Sequence, residues 1–295
     1  MPELPDITLY VEALERRMLD RRIEEVRLAS PFLLRSVEPP LDDAIGREVK
    51  TVRRLGKRIV IGLEGDLWLV FNLMIAGRFH WKPRGVKLAG RHALAAFDVE
   101  DGSLMLTEFG PKKRASLHVV EGEAGLADHD PGGLEVMEAD FEAFKAALTR
   151  ENHSLKRALT DPHIFSGIGN AYSDEILHHA RLSPKAMSAK LDAGEILRLY
   201  ESTKATLGDW LQRLRAELGD GFPETVKTVR SGMAVHGRFN EPCPVCATLV
   251  QRLRRQDSES NYCPRCQTDG EILADRSTAQ LFKGNRPRSI EDIAS

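Results

Sequence analysis

The segment CPVCATLVQRLRRQDSESNYCPRC (residues 243–266) decides how the C-terminal part of the chain folds. Two Cys-x2-Cys pairs flank sixteen residues that can form a hairpin. This spacing is typical of a tetrahedral zinc site with four thiolate ligands. We therefore predict one structural zinc ion, and its ligands are Cys243, Cys246, Cys263 and Cys266. Such a closed site leaves no position for water or substrate, so it stabilises the fold and takes no part in the chemistry.

Two disulfides or four unrelated thiols are the alternatives for these cysteines. No basic, apolar leader precedes the first periodic segment, which favours a reducing cytoplasm and disfavours disulfides. With 42% hydrophobic and 29% charged residues, the composition is that of a globular protein. No apolar run reaches the roughly 18 residues that a membrane-spanning helix needs. We expect a cytoplasmic protein that has no membrane partner.

The net charge of −2 argues against a uniformly basic surface but allows local basic patches. Basic residues cluster in four places, at residues 50–58, 82–87, 111–114 and 252–256. A solvated face explains any one cluster, whereas four clusters form a nucleic-acid surface if the fold brings them together. The arginines inside the cysteine hairpin favour the nucleic-acid interpretation.

The first half of the chain changes its apolar spacing after a short helical segment. Residues 7–19 show helical spacing, and Asp6 is a candidate cap for this helix. From residue 25 to about 120, short β-type runs alternate with turn residues, and hairpins are expected at Gly65-Asp66 and Asp101-Gly102. This pattern predicts a β-sandwich or barrel.

The second half shows helical spacing after a segment rich in turn residues, GLADHDPGG. The spacing predicts four helices, and the longest one begins with a capping box formed by Asp192 and Glu195. The glycines of FSGIGNAY (residues 165–172) interrupt the pattern between the second and third helices. A glycine-rich turn directly before a helix is a suitable site for an anion, although a generic loop remains the alternative.

Four of these features together resemble one family. The start MPELPD, the β-rich first half, GIGNAYSDE and a ribbon introduced by VHGRFNEPC occur in the order found in the formamidopyrimidine-DNA glycosylase and endonuclease VIII family. The resemblance extends over about residues 1–270. It implies base-excision DNA repair by a DNA glycosylase with abasic-site lyase activity. Such an enzyme flips a damaged base out of the duplex, cuts its glycosidic bond and nicks the backbone at the abasic sugar.

The resemblance and the residue pattern together predict an α+β multidomain fold. It comprises an N-terminal β-sandwich with an N-terminal helix, a helical domain with a helix-two-turn-helix, and a C-terminal zinc ribbon. The predicted parts are a catalytic domain (1–124), a linker (125–138), a helical DNA-binding domain (139–235), the zinc ribbon (236–272) and a polar, loosely packed tail (273–295). We expect a monomer that holds double-stranded DNA with damaged bases or abasic sites in a basic cleft between the domains, and that is associated with the nucleoid when bound.

The opening residues carry the predicted chemistry. If Met1 is removed, Pro2 presents a secondary amine, and an α-amino group with a pKa near ~8 is partly unprotonated at neutral pH. Attack of this amine on C1′ of the sugar produces an iminium, which acts as an electron sink for elimination of the 3′ phosphate. Glu3 is placed to protonate the ring oxygen or to shuttle protons. The alternative is that Pro2 only favours removal of methionine and that Glu3 is a solvated residue near a helix start.

Three further residues match the family's DNA-contacting positions. Lys57 matches a hairpin lysine that contacts the damaged nucleotide or its phosphate and assists base loss, so we count it with the catalytic residues. Asn170 matches an asparagine that contacts the phosphate at the lesion, and Lys156 matches a second phosphate-contacting lysine. One more lysine in a basic strand is the alternative for Lys57.

The residues that select the substrate depart from the family pattern. Ile75, or as the weaker alternative Met74, stands where the oxoguanine-removing branch has a methionine that fills the space of the flipped base. Lys113 with Arg114 replaces an Arg-Phe pair, so the motif comparison finds no aromatic wedge. The segment 219–238 lacks the longer lid of that branch. The damaged base and the opposite-base preference therefore remain unassigned.

The ribbon also departs from the pattern. Ser258 stands where an arginine is expected, so Arg254 or Arg255 is predicted to supply the phosphate contact. Two rival functions follow from these departures. One is an abasic-site lyase that does not excise bases, and the other is a non-catalytic module that binds damaged or single-stranded nucleic acid.

Overall fold

The computed structural model describes residues 1–110, 112–227, 229–255, 258–274 and 288–294. Contacts between residues divide the chain into two compact units. Unit 1 comprises Met1–Pro131 and Trp210–Val226, and unit 2 comprises Gly132–Asp209 and Lys227–Ser295. The division into five parts that the sequence predicted stays a prediction. Among the described residues, no helix combines the length and the apolar character that crossing a membrane requires.

Unit 1 begins with helix α1 (Leu4–Met18), which starts three residues earlier than the apolar spacing predicted. Glu3, and not Asp6, is the N-cap residue. Asp6 is the third helical residue, and the two form a capping box in which each side chain accepts a hydrogen bond from the other's backbone amide. The helix starts early because Pro5 lies in the first turn, where a missing amide proton costs nothing.

Eight strands of unit 1 form two antiparallel sheets. The strands are β1 (Glu25–Leu28), β2 (Val49–Leu55), β3 (Arg58–Leu63), β4 (Leu67–Asn72), β5 (Gly77–Lys82), β6 (Ala93–Val99), β7 (Gly102–Glu108) and β8 (Ser116–Glu121). One sheet has the order β1-β6-β7-β5, and the other has the order β2-β3-β4-β8. The predicted β-sandwich and both predicted hairpins are confirmed. The β-type runs of the sequence did not include β2, β5 and β8, because these strands alternate polar with apolar residues.

The core of unit 1 joins both sheets and α1. Phe71 of β4 contacts Phe79 and Phe97 of the other sheet edge-on, with ring centroids 5.2 and 5.4 Å apart. Tyr10 of α1 packs on Phe79 at 5.7 Å. All four rings are fully buried, so the helix that begins at the N-terminal arm is fixed to the sandwich.

A further helix, α2 (Gly122–Ala127), follows β8 and runs into the predicted linker. Leu126 of this helix is buried in a small cluster with Trp68 and Val70. The helix continues to Ala127 because packing of Leu126 stabilises its last turn.

Unit 2 contains the four helices that the apolar spacing predicted. They are α3 (Phe141–Thr149), α4 (Leu155–Thr160), α5 (Asn170–His179) and α6 (Ala193–Leu218), whose last nine residues belong to unit 1. The predicted capping box of α6 is confirmed, since the amide of Glu195 donates to Asp192 at 2.8 Å and the amide of Asp192 donates to Glu195 at 3.0 Å.

The ribbon of unit 2 is an antiparallel hairpin of β9 (Gln251–Arg255) and β10 (Ser258–Tyr262), followed by the short helix α7 (Pro264–Gln267). Residues 275–287 of the predicted loose tail lie outside the described residues. The last described segment contains α8 (Glu291–Ala294), and it returns to the ribbon. There the amide of Ile272 donates to the carbonyl of Arg288 at 2.8 Å, and the amide of Ile290 donates to Gly270 at 2.9 Å.

Candidate active site, DNA-binding residues and zinc ribbon

The N-terminal arm lies against unit 1 and is not solvated. Pro2 is buried, and Glu3 exposes only 5% of its surface. Burial is the main reason why the pKa of the Met1 amine lies below its usual value of 8.0. The positive charges of Arg78 and Lys57 lower it further, whereas Glu3 and Asp6 raise it. The arm therefore holds an amine in surroundings that favour its unprotonated form.

Lys57 lies in the two-residue turn between β2 and β3. Gly56 adopts a left-handed conformation there (φ +62°), and its carbonyl accepts a hydrogen bond from Arg54 at 2.9 Å. The charge of Lys57 acts on the N-terminal amine. The structure thus brings Pro2, Glu3 and Lys57, the three predicted catalytic residues, to one region of unit 1.

The turn between β4 and β5 presents Ile75 to solvent. The amide of Gly77 donates to the carbonyl of Leu73 at 2.9 Å, and Asn72 accepts from the amide of Met74 at 3.1 Å. Ile75 at the apex is 58% exposed, whereas Met74 is half-buried. A side chain at position 77 would place its Cβ only 2.3 Å from the Leu73 carbonyl oxygen, so the tight turn requires glycine. Of the two sequence alternatives, Ile75 is the side chain that projects.

Glu108, at the end of β7, holds the loop that contains Lys113 and Arg114. Its carboxylate is buried and accepts hydrogen bonds from the amides of Arg114 (2.9 Å) and Ala115 (3.3 Å). The Lys113 ammonium turns back to the Glu108 carbonyl, while the Arg114 side chain is exposed. Arg114 is therefore the predicted DNA-contacting residue of this loop that reaches solvent.

Phe109 is a residue that the motif comparison missed. Its ring is 61% exposed and stacks on His92, with centroids 4.5 Å apart. Its amide donates to the carbonyl of Ala76 at 3.3 Å, so this aromatic residue lies directly beside the turn of Ile75. The sequence signal for Phe109 is the Phe-Gly pair that follows an apolar run and directly precedes PKKR.

In unit 2, Lys156 holds the start of α5. Its ammonium donates to the carbonyl of Asn170 (2.7 Å), to Ser173 Oγ (2.8 Å) and to Asp174 Oδ1 (2.5 Å). The Lys156 side chain is only 14% exposed, and Asp174 is fully buried. Three acceptors match the three ammonium protons, so Lys156 fixes the glycine-rich turn to the helix. Its predicted contact with a phosphate stays a prediction.

Asn170 is the first residue of α5 and follows Gly169 at the N-cap. Its side-chain amide donates to the carbonyl of Glu259 in β10 at 2.6 Å. The helix start and the zinc ribbon are therefore joined at the residue that the family motif assigns to a phosphate. That contact also stays a prediction.

The sequence analysis missed the structural role of Asp174 and Glu175 in α5. Asp174 Oδ2 accepts from His236 Nδ1 (2.8 Å) and from the amide of Asn261 (3.0 Å). The Glu175 carboxylate accepts the amides of residues 234–236 at 2.7, 2.9 and 2.9 Å. The two buried acids therefore fasten the entrance of the ribbon to the helix.

The four cysteines converge as predicted. Their sulfur atoms all lie within 4.8 Å of one another. The Sγ atoms of Cys246 and Cys263 are 3.3 Å apart, and those of Cys243 and Cys266 are 3.9 Å apart. Zinc–sulfur bonds of about 2.3 Å in a tetrahedron set sulfur atoms about 3.8 Å apart, so the cluster fits one structural zinc ion.

His178 of α5 lies beside this cluster, with its Nε2 atom 3.3 Å from Cys243 Sγ. The sequence analysis left this histidine out of the zinc site. A buried histidine that faces a thiolate is a typical supporting residue for a metal ligand, and it adds a second link between α5 and the ribbon.

The arginines of the ribbon differ in their surroundings. Arg252 stacks over the ring of Phe239 at 3.9 Å and pairs with Glu259 at 3.6 Å. Arg254 is 63% exposed and lies 3.8 Å from Glu259. The side chains of Arg255 and Ser258 lie outside the described residues. Among the described side chains of β9, Arg254 offers the most exposed cation.

Comparison with known proteins identifies the family. Family models match three successive parts of the chain: the formamidopyrimidine-DNA glycosylase N-terminal domain at residues 1–112, the formamidopyrimidine-DNA glycosylase H2TH domain at 133–216, and the zinc finger found in FPG and IleRS at 240–268. The formamidopyrimidine-DNA glycosylase of Heliobacterium modesticaldum is 31% identical over 281 residues, which cover 90% of this chain and 100% of that protein. A formamidopyrimidine-DNA glycosylase-like protein of Mycobacterium tuberculosis is 39% identical over 153 residues, or 52% of this chain and 93% of that protein.

Solved structures share the fold. The Lactococcus lactis Fpg in complex with abasic-site DNA matches with a TM-score of 0.78 at 21% identity, over 90% of this chain and 99% of that chain. The same enzyme in complex with DNA that contains an oxidized pyrimidine matches with a TM-score of 0.79 at 22% identity, over 90% of this chain and 100% of that chain. Because all three domains match in order and a relative is matched over its full length, the chain belongs to the formamidopyrimidine-DNA glycosylase family, whose members are DNA glycosylases with abasic-site lyase activity.

Proposed function

We propose that this chain excises damaged bases from DNA and then cleaves the backbone at the abasic site, with the amine of Pro2 as nucleophile. The observation that carries the proposal is the buried N-terminal arm. Burial of this arm lowers the pKa of the Met1 amine, and the charges of Glu3 and Lys57 act on that amine; the Pro2 amine takes its place at the start of the chain once Met1 is removed. A lowered pKa increases the unprotonated, nucleophilic fraction of an amine at neutral pH.

The proposed reaction requires that Met1 is removed. The Pro2 nitrogen bonds to C1′ while the bond from C1′ to the base breaks, and the base leaves with the proton that the Pro2 nitrogen gives up. Glu3 then protonates the ring oxygen as the bond between C1′ and that oxygen opens, which produces the iminium. The iminium draws electrons as a proton leaves C2′, and the bond to the 3′ phosphate breaks. Water finally releases the enzyme from the cleaved product.

The proposed partner is double-stranded DNA with damaged bases or abasic sites. The side chains proposed to contact DNA are six cations and one amide: Lys57, Lys113, Arg114, Lys156, Arg254 and Arg255, and Asn170. Ile75 is proposed to enter the space that the flipped base leaves, because its apolar side chain projects from a rigid turn. The zinc ion supplies folding energy to the ribbon that carries Arg254. We further propose a monomer that works at the nucleoid in the cytoplasm, where its DNA substrate lies.

Borohydride trapping tests the proposal. The purified protein, with loss of Met1 verified by mass spectrometry, is incubated with duplexes that contain an oxidised purine, an oxidised pyrimidine or an abasic site. We expect a covalent adduct with the abasic duplex and with at least one damaged-base duplex. Elution volume in size-exclusion chromatography checks the monomer.

Two variants sharpen this test. An uncleaved N-terminal extension blocks the amine and is expected to abolish every adduct. Glu3→Gln removes the proton donor and is expected to slow opening of the sugar ring, and with it formation of the trapped adduct, at least about 100-fold, the lower end of a general acid's contribution. An adduct with the abasic duplex alone supports the lyase that does not excise bases. If a protein that lacks Met1 traps no duplex, the enzymatic proposal is wrong.

A further inference from the structure

Arg78, the second residue of β5, binds three backbone carbonyls. Its Nη1 atom donates to the carbonyls of Ile75 (3.1 Å) and Gly77 (2.6 Å), and its Nη2 atom donates to the carbonyl of Val226 (3.0 Å). Val226 is 6% exposed and belongs to the core of unit 1. One side chain therefore ties the exposed apex of the β4–β5 turn to a buried anchor.

The guanidinium of Arg78 contacts no carboxylate among the described residues. Its hydrogen-bond partners are neutral backbone carbonyls. The other cations along β5 differ, because His80 and Lys82 both contact Glu224. Carbonyls satisfy the donors of a guanidinium without cancelling its charge, so Arg78 retains an electrostatic effect on its surroundings.

That charge acts on the N-terminal arm. Besides burial, four charged groups affect the Met1 amine: Glu3 and Asp6 raise its pKa, whereas Arg78 and Lys57 lower it. Of the two cations, Arg78 has the larger effect. A nearby positive charge repels the ammonium form, so loss of the Arg78 charge must raise the pKa of the amine.

Arg78 also adds a side-chain hydrogen bond to a turn that is otherwise held by the bond between Gly77 and Leu73 and by the Asn72 side chain. Met74 adopts a left-handed conformation (φ +51°), which is unfavourable for a residue with a side chain. The hydrogen bond from Arg78 to Ile75 closes the turn from the side of β5. Without this bond, the apex keeps the contact between Gly77 and Leu73 and the contact between Phe109 and Ala76.

We propose that Arg78 is a positioning residue of the active site, which fixes the turn of Ile75 through its bonds to three carbonyls and, once Met1 is removed, acts through its positive charge on the amine of Pro2. The inference rests on the proposed role of Pro2 as nucleophile. The motif comparison did not select Arg78, because no catalytic motif of the sequence includes it. Its chemistry becomes apparent only from the carbonyls it binds and the amine on which it acts.

The test titrates the N-terminal amine directly. Protein that lacks Met1 is treated with an acylating reagent at a series of pH values, and mass spectrometry measures the modified N-terminal peptide. Arg78→Met removes the positive charge and the hydrogen bonds. Arg78→Lys keeps the charge but cannot donate from two separate nitrogen atoms. The control is Arg84→Met, because Arg84 is a half-exposed cation of the same unit that pairs with Glu24. Hydrogen exchange reports on the turn amides of residues 74–77 in each variant.

We expect Arg78→Met to raise the pKa of the amine, and Arg78→Lys and Arg84→Met to leave it close to that of the wild-type protein. On the acidic side of the titration, adduct formation with abasic DNA should then slow by about threefold to tenfold in Arg78→Met. Both Arg78 variants should exchange the turn amides faster, and Arg84→Met should not.

The outcomes separate this inference from the proposed function. If the N-terminal amine has the same pKa in Arg78→Met as in the wild-type protein, the electrostatic role is wrong. If Arg78→Lys, which keeps the charge, exchanges its turn amides at the original rate, the positioning role is wrong. If the pKa of the amine is higher in Arg78→Met than in the wild-type protein, but the wild-type protein traps no DNA, Pro2 is not the nucleophile. The effect of Arg78 on the amine then still stands.

Discussion

The backbone amide of Glu3 donates a hydrogen bond to the Asp6 carboxylate at 2.9 Å, and the Glu3 carboxylate accepts one from the Asp6 amide. Both side chains are buried. The proposed proton-transfer residue is therefore also the cap of α1. The geometry of the N-terminal arm depends on a helix start, which is a local structure that six residues can specify.

Asp6→Ala should weaken both the fold and the chemistry. Loss of one half of a capping box costs about 0.5–2 kcal/mol of unfolding free energy. The lost bond is the one that the Glu3 backbone amide donates, so the backbone that carries the Glu3 carboxylate should be held less firmly, and adduct formation with abasic DNA should slow. Urea unfolding and borohydride trapping measure the two effects.

Asp192→Ala is the matched control, since Asp192 forms the capping box of α6 with Glu195. It should lower the unfolding free energy by a similar amount and leave the rate of trapping unchanged. Equal slowing by both variants would mean that stability alone explains the effect of Asp6→Ala.

Phe109→Ala should slow the excision of a damaged base more than the cleavage of a preformed abasic site. An exposed aromatic ring beside the Ile75 turn is suited to stack on a base left without its partner, and such stacking contributes roughly 1–3 kcal/mol per base. Only the damaged-base duplex still requires base flipping with its full unstacking cost. The comparison uses single-turnover rates on the two duplexes. The control is Phe32→Ala, because Phe32 is 76% exposed and carries no proposed role; equal loss on both duplexes contradicts the prediction.

Lys156→Met should lower the unfolding free energy of the protein by about 3–5 kcal/mol. The change leaves the fully buried Asp174 without its charged lysine partner, which is costly inside a protein. Chemical unfolding measures the loss. In the double variant Lys156→Met with Asp174→Asn, the loss should be smaller than the sum of the single losses, because the two residues share one ion pair. An additive result would contradict the pairing.

Arg254→Met should reduce the salt dependence of DNA binding without loss of stability. Each phosphate contact contributes about −0.9 to the slope of log K against log salt concentration, so the slope should become shallower by about one. Fluorescence anisotropy at several salt concentrations measures it. Lys145→Met provides the control, since Lys145 is a surface cation of α3 that pairs only weakly with Glu142. An unchanged slope in Arg254→Met would place the phosphate contact elsewhere.

Removal of zinc by a strong chelator should unfold the ribbon and abolish tight DNA binding. The four cysteines form a small cluster with Val235 and Val250, so loss of the ion removes the link between the two Cys-x2-Cys pairs. Hydrogen exchange of β9 and β10 measures the unfolding, and added zinc should restore both protection and binding. Persistent protection of the hairpin after verified loss of zinc would show that the ribbon folds without the metal.

The sequence by itself determined the elements whose signals are local. The Cys-x2-Cys pairs predicted the zinc site because their spacing alone allows each pair to chelate one ion. The capping box of α6, the two hairpins and the four helices of unit 2 were also predictable, since each depends on residues a few positions apart. The order of motifs along the chain was sufficient to indicate the family.

Only the tertiary structure decided which side chains meet across the fold. Phe109 reaches the turn of Ile75 because sheet pairing joins β5 to β7, and Arg78 acts on the Met1 amine because α1 packs on β5. Lys156 and Asp174 are separated by α4 and the glycine turn, yet they form one buried ion pair. Motif letters carry no information about such contacts, which depend on strand register and burial. The sequence therefore determined the proposed chemistry at residues 1–6, and the tertiary structure decided which residues surround it.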